Sequence, residues 1–460
     1  MKKMIACLLA VCLFVSALGG CAPSGSEPPI ESGLPAESGL PAESEPPAES
    51  EPPAESEPPA ESESPAESEP PEPGPSLDYS GHDAPNEADY VTELIDLDKL
   101  DDGEAHLVRE TIARECLLPF DGMVKGGTWG YDLRYRDARE ADLSVVKDWN
   151  EISFSSDTVW PDDLPEGFSP EDILENNKNP GLSIRDLHQQ GYTGKGVSIA
   201  IIDQGLYTGH EEYAGNLKSY EMIHCGDLGA TLHGAAVSSI AVGKTVGVAP
   251  EANLYYIGST FGHFTDDGFV FDASIMADCI LRVCEMNRHL PQEDRIRVIS
   301  ISRGYLKSDS GCEALQTAIR KADEQGILVL TVSTELTYQC NLQGLHRSYF
   351  DDPDDPASYR LPQGTAIDFS SPDIVCVPRG SRAYASWNGP QDYEIVYNGG
   401  MSWAVPWLAG FYALCCQAKP EITPAEFIEV ITHTTQTVSL SSGGRANIID
   451  PAAVIARLIG

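Results

Sequence analysis

The sequence predicts an open, mostly parallel α/β sheet with helices on both faces, preceded by a disordered stalk. Three observations carry this. From Leu182 onward, short apolar runs alternate with segments of helical period, the pattern of strand–helix–strand units. The run over 197–202 is apolar at almost every position, as a strand covered on both faces must be. Residues 22–76 repeat Ala, Glu, Ser and Pro in a composition that cannot bury a core and stays extended.

Helical spacing marks 182–188, 236–242, 271–287, 313–325, 404–418 and 424–434. Strands are expected over 197–202, 253–258, 297–302 and 327–332. Pro424 opens the last helix and Thr423 suits its N-cap. Sites in such sheets lie at the carboxyl ends of the strands.

At the N-terminus, Lys2 and Lys3 precede an apolar run over 4–18 that is short for a bilayer span and has a signal-peptide layout. The ending Leu18-Gly19-Gly20-Cys21 resembles a bacterial lipobox. That resemblance implies a lipoprotein signal peptide over 1–20, a lipid on Cys21, and a chain held at the extracellular face of the bacterial cell membrane. An uncleaved anchor, or cleavage near Ala17 with secretion, is the alternative. Residues 21–76 then form a lipid-anchored spacer, with 14 Glu and no Lys or Arg in 22–76. The whole chain sets 30 Lys+Arg against 71 Asp+Glu, a net charge of −41. This argues against nucleic-acid or anionic-lipid contact through a basic face, and of substrates it disfavours only a strongly acidic one.

Residues 77–178 are weakly patterned. A short helix is expected over 110–117. Asp132, Asp137 and Asp142 recur every five residues, which resembles pentapeptide repeats, although three units are too few for a solenoid. The region reads as a lead-in packed on a main domain over 179–460; a cleaved propeptide is the competing reading.

Three residues in the main domain bear chemistry. Asp203 ends the strand over 197–202, where a carboxylate faces the crevice or simply caps a loop. His233 stands at the start of a small-residue helix, where the dipole favours its neutral, basic form. Ser402 follows Gly399-Gly400 at the mouth of an apolar helix; taken alone it is an N-cap. Together they supply a nucleophile, a base and an orienting carboxylate, in one of the known chain orders for that constellation.

The text around them resembles subtilisin-like serine proteases of peptidase family S8. Ile201-Ile202-Asp203 resembles the family's aspartate motif, Leu232-His233-Gly234 and the residues to Ile240 its histidine motif, and Gly400-Met401-Ser402 through Gly410 its serine motif. The resemblance covers about 180–435. It implies a serine endopeptidase in which Ser402 attacks a peptide carbonyl, His233 moves the proton and Asp203 orients His233. It also implies that Ser302-Arg303-Gly304 is the edge on which a substrate lies as an added strand. Arg303 replaces the usual apolar residue, which either favours an acidic side chain nearby or leaves a solvated arginine.

The departures concern the surroundings. Met401, Trp403 and Trp407 replace Thr, Met and His of the serine motif, and Ala236 replaces a histidine. Alignment puts Glu335 where the family places the oxyanion-hole Asn. An ionised Glu offers no donor, and loss of one such donor costs about 10²–10³ in rate. A protonated, buried Glu335, or an amide from Gln339, Asn341 or Gln343, would have to substitute. Glu335 also favours the alternative function, a catalytically silent relative that binds peptides or partner proteins. The intact Asp203, His233 and Ser402 favour the enzyme over that relic.

No cofactor and no metal are expected. The loop over 241–245 is too short for the family's calcium insertion, and the acidic run over 351–355 reads as a solvated turn. No Cys-x-x-Cys pair suggests zinc. Beyond Cys21, nine cysteines leave at least one thiol without a partner in its own chain.

Overall fold

The computed structural model describes residues 106–126, 129–224, 229–265, 268–362, 368–396 and 398–460. The signal segment, Cys21 and the stalk lie outside the described residues. The central sheet has six strands: β1 (His106–Leu107), β2 (Ser198–Asp203), β3 (Leu217–Met222), β4 (Asn253–Gly258), β5 (Ile296–Ile301) and β6 (Leu328–Thr331). Their spatial order is β1-β3-β4-β2-β5-β6. All neighbours run parallel except β1, which lies antiparallel on β3.

Side-chain parity shows why the strands read as unbroken apolar runs. In β2, Ile199 and Ile201 enter one core while Ala200 and Ile202 enter the other. Leu254 and Tyr256 of β4 oppose Tyr255 and Ile257 in the same way, as Leu328 and Leu330 of β6 oppose Val329. Helices α1 (Leu232–Val242) and α4 (Met401–Ala418) cover the first face. Helices α2 (Ala273–His289) and α3 (Cys312–Asp323) cover the second. The fold is therefore the open α/β sheet with helices on both faces that the alternation implies. Helix Pro424–Thr432 begins as expected, with the Thr423 side chain accepting from the Glu426 amide.

Residues 110–117 do not form the expected helix. The amide of Thr111 donates to Thr208 Oγ1, and those of Arg114 and Glu115 donate to the carbonyls of Trp387 and Asn388. These bonds to other loops replace i to i−4 bonds, and they leave Ile112 86% exposed. The five-residue period has a local cause too. Asp132, Asp137 and Asp142 each accept from the residue two positions on, namely Arg134, Arg139 and Ser144. The repeat is a run of side-chain-closed turns and not a solenoid.

The lead-in does not form a layer of its own. Strand Ile152–Ser155 pairs antiparallel with Tyr393–Val396, in a five-stranded sheet that also holds Arg382–Ala385, Gly130–Asp132 and Lys125–Gly126. Leu133, Ile152, Phe154, Phe168 and Ile173 share one apolar cluster with Val246, Tyr349, Ala383 and Ile395. Beside it, fully buried Glu394 accepts from the Tyr135 hydroxyl, from Tyr384 Oη at 3.3 Å and from Arg134 Nη1 at 3.4 Å. Arg134 is held in turn by Asp132.

His346 gives the fold a pH dependence. It is 3% exposed, and its Nε2 donates to the Leu361 carbonyl at 2.9 Å. Burial, reinforced by Arg379, lowers its pKa from 6.5 to about 4. The unfolded chain therefore takes up a proton near pH 6.5 that the folded chain refuses until near pH 4. Stability from this residue is full above pH 6.5, falls across that window by about 3 kcal/mol, and is constant below it. Urea unfolding at pH 7, 5.5 and 4.5 should show a steeper loss in wild type than in His346→Gln. Parallel curves would refute the assignment.

Candidate active site

Asp203 is the last residue of β2 and is 1% exposed. Its Oδ1 accepts from the amide of Gln204 at 2.8 Å and lies 2.5 Å from His233 Nδ1. The buried carboxylate thus holds the imidazole with Nδ1–H toward it and leaves Nε2 as the basic nitrogen. His233 is the second residue of α1. Thr231 caps that helix by accepting from the Gly234 amide at 3.2 Å, and it donates to the Gly205 carbonyl at 3.0 Å. The cap therefore ties the start of α1 to the loop that follows Asp203. Gly234 is required there, because a Cβ would lie 2.6 Å from the Gly205 oxygen.

Helix α4 starts three residues earlier than its spacing suggests. Gly400 is its N-cap with φ +69°, a conformation suited to glycine, and Ser402 lies inside the first turn. Pro406 sits four residues further on. It has no N–H to give the Ser402 carbonyl, so that oxygen is orphaned within the helix. Ser302 Oγ fills the gap, donating to it at 2.8 Å, while Ser402 Oγ donates to the Ser302 carbonyl at 3.3 Å. The end of β5 and the start of α4 are thus cross-tied. In this rotamer Ser402 is bonded to Ser302 and not to His233.

The indole of Trp403 packs against His233 with ring centroids 5.2 Å apart, and it meets Tyr384 in a T-shaped contact at 5.4 Å. Gly399 makes room for it, since a Cβ there would lie 2.2 Å from the ring. Ser302, Arg303 and Gly304 follow β5 directly. The Arg303 amide donates to the Ile301 carbonyl, and its carbonyl accepts from the Val332 amide at 3.1 Å.

Glu335 is exposed, at the first residue of the short helix Glu335–Tyr338. Its exposure removes the burial that a protonated donor would need. Gln339 ends that helix, exposed and in the left-handed region. Asn341 and Gln343 lie in another strand, with Gln343 Nε2 donating to Asn341 Oδ1. Sequence reasoning missed Thr231 and the Ser302–Ser402 tie. The signals were a capping residue two before the histidine and a proline four after the serine.

Eight cysteines, from Cys116 to Cys416, are free thiols; Cys225 lies outside the described residues. Among the described residues no group of three His, Cys, Asp or Glu side chains is placed to hold a metal. Among them, too, no helix is long and apolar enough to cross a membrane.

These features define a parallel α/β domain with an aspartate–histidine pair at the carboxyl edge of its sheet. The chain belongs to the subtilase family, peptidase S8, whose description matches residues 194–448. It is 24% identical over 325 residues to the minor extracellular protease Epr of Bacillus subtilis (strain 168), spanning 67% of this chain and 45% of that protein. Identity to a subtilisin-like protease of Coccidioides posadasii (strain C735) is 23% over 154 residues, 30% of each chain. The chain thus spans under half the length of these relatives. Among solved structures, a protease from Pseudoalteromonas arctica PAMC 21717 aligns with TM-score 0.43 and 20% identity, covering 63% of this chain and 98% of that one. The prenylagaramide maturation protease PagA aligns with TM-score 0.45 and 16% identity, covering 60% and 99%.

Proposed function

We propose that the chain is a serine endopeptidase held at the outer face of a bacterial membrane through a lipid on Cys21. The observation that carries the catalytic part is the buried Asp203 carboxylate bonded to His233 Nδ1, with Ser402 in the first turn of α4. Catalysis requires Ser402 to exchange its bond to Ser302 for one to His233 Nε2. Ser402 Oγ then attacks the scissile carbonyl as His233 accepts its proton. The imidazolium formed is stabilised by Asp203 and returns the proton to the leaving amine. Water repeats the cycle on the acyl-enzyme. The Trp403 amide donates to the Gly400 carbonyl at 3.3 Å, while those of Met401 and Ser402 precede any acceptor of the helix and offer donors to the oxyanion. The lipid anchor rests on the sequence around Cys21.

The second reading, a silent relative that binds peptides, is favoured by exposed Glu335 at the oxyanion position. One experiment separates the two. The full chain, expressed in a lipoprotein-processing bacterial host, is treated with a fluorophosphonate probe beside Ser402→Ala and Cys21→Ser. The endopeptidase reading expects a labelled, membrane-associated band that Ser402→Ala abolishes and Cys21→Ser releases into the soluble fraction. A folded wild type that takes no label would leave the silent relative standing. A labelled band that stays membrane-bound in Cys21→Ser would remove the anchor.

A further inference from the structure

We propose that Arg303 selects an acidic side chain in the substrate, so that the chain cleaves peptides bearing Glu or Asp at one fixed distance from the scissile bond. This rests on the endopeptidase reading.

The argument begins with where the guanidinium goes. Arg303 lies at the carboxyl end of β5, directly after Ser302, which is bonded to Ser402. A solvated loop arginine would extend into water. This one folds down so that its Cζ lies 4.8 Å from the centre of the Phe271 ring, just before α2. Its Nε is enclosed without a hydrogen-bond partner. The residue as a whole is only half-buried, so the rest of the fork stays open to solvent.

No carboxylate of the described chain reaches it. The nearest acid acting on it is Asp309, whose Oδ2 instead accepts from the Leu306 amide at 2.7 Å and closes its own turn. Partial burial accordingly holds the guanidinium below its usual pKa, with only weak compensation from Asp309. Arginine nevertheless stays a cation at any working pH.

A half-desolvated cation beside a binding edge is complementary to a carboxylate, which the fork can grip through charge-assisted bonds. A neutral amide of the same size would satisfy the donors without the charge. A substrate lysine would be repelled. The Phe271 ring holds the cation in place before substrate arrives, so little side-chain freedom is lost on binding.

The test is a positional-scanning library of fluorogenic peptides, cleaved by the full chain. At one substrate position Glu should exceed Gln by roughly 10-fold in kcat/KM, and the ratio should shrink at about 0.5 M salt. Both readouts use the unsubstituted chain and stand even if a variant fails to fold. Arg303→Leu should bring the ratio to about one, and Arg303→Glu should turn the preference toward Lys. Cleavage with equal Glu and Gln rates at every position would overturn the inference and leave the endopeptidase standing. So would a preference that survives Arg303→Leu. Absence of both cleavage and fluorophosphonate labelling would remove both.

Discussion

Asp203→Asn is expected to lower kcat for peptide hydrolysis by about 10⁴-fold while changing KM little. The cause is local. Asp203 is fully enclosed, and its Oδ1 is shared between the Gln204 amide and His233 Nδ1. An asparagine that keeps its oxygen in that place still accepts from both the Gln204 amide and His233 Nδ1, but it carries no charge to stabilise the imidazolium that forms when His233 takes the Ser402 proton. Steady-state kinetics on a single fluorogenic peptide checks this. A drop of less than about tenfold would mean that His233 is oriented by something other than Asp203, and the proposed roles would fail.

Excising the lead-in is expected to abolish folding. A chain that starts at residue 179 loses Leu133, Ile152, Phe154, Phe168 and Ile173 from a shared cluster. Each buried apolar side chain contributes roughly 1.5–3 kcal/mol. Five of them match the whole stability of an ordinary domain, roughly 5–15 kcal/mol. Excision also strips the Tyr135 and Arg134 donors from Glu394, which leaves a buried carboxylate short of partners. Thermal melts of 106–460 and 179–460, followed by circular dichroism, should give a cooperative transition for the first and none for the second. Equal transitions would favour the cleaved-propeptide reading.

The central sheet was legible because its strands are buried on both faces. A run such as Ile199-Ala200-Ile201-Ile202 admits few other readings, and the strand over 253–258 matches to the residue. Asp203 and His233 were legible as a pair because each stands next to a sharp change of pattern. The lead-in was opaque for a physical reason. Its strands are two to four residues long, and their partners lie far along the chain. Residues 110–117 contain helix formers such as Ala113 and Arg114, yet loop carbonyls at 387 and 388 claim the amides of Arg114 and Glu115. The start of α4 was misplaced because Pro406 reads locally as a first-turn residue. The Ser302 hydroxyl, from the loop after β5, supplies the donor that Pro406 cannot give the Ser402 carbonyl.

The distance between the two halves of the lead-in sheet also dictates an order of events. Tyr135 and Glu394 are bonded across 259 residues. During synthesis at roughly 5–20 residues per second, strand Ile152–Ser155 would wait on the order of 12–48 s for its neighbour, since Ser155 pairs with Glu394. Through that interval its backbone groups and Phe154 stay exposed, as a template open to other nascent chains. Temperature and crowding during production should therefore govern the yield of this protein more than its final stability does.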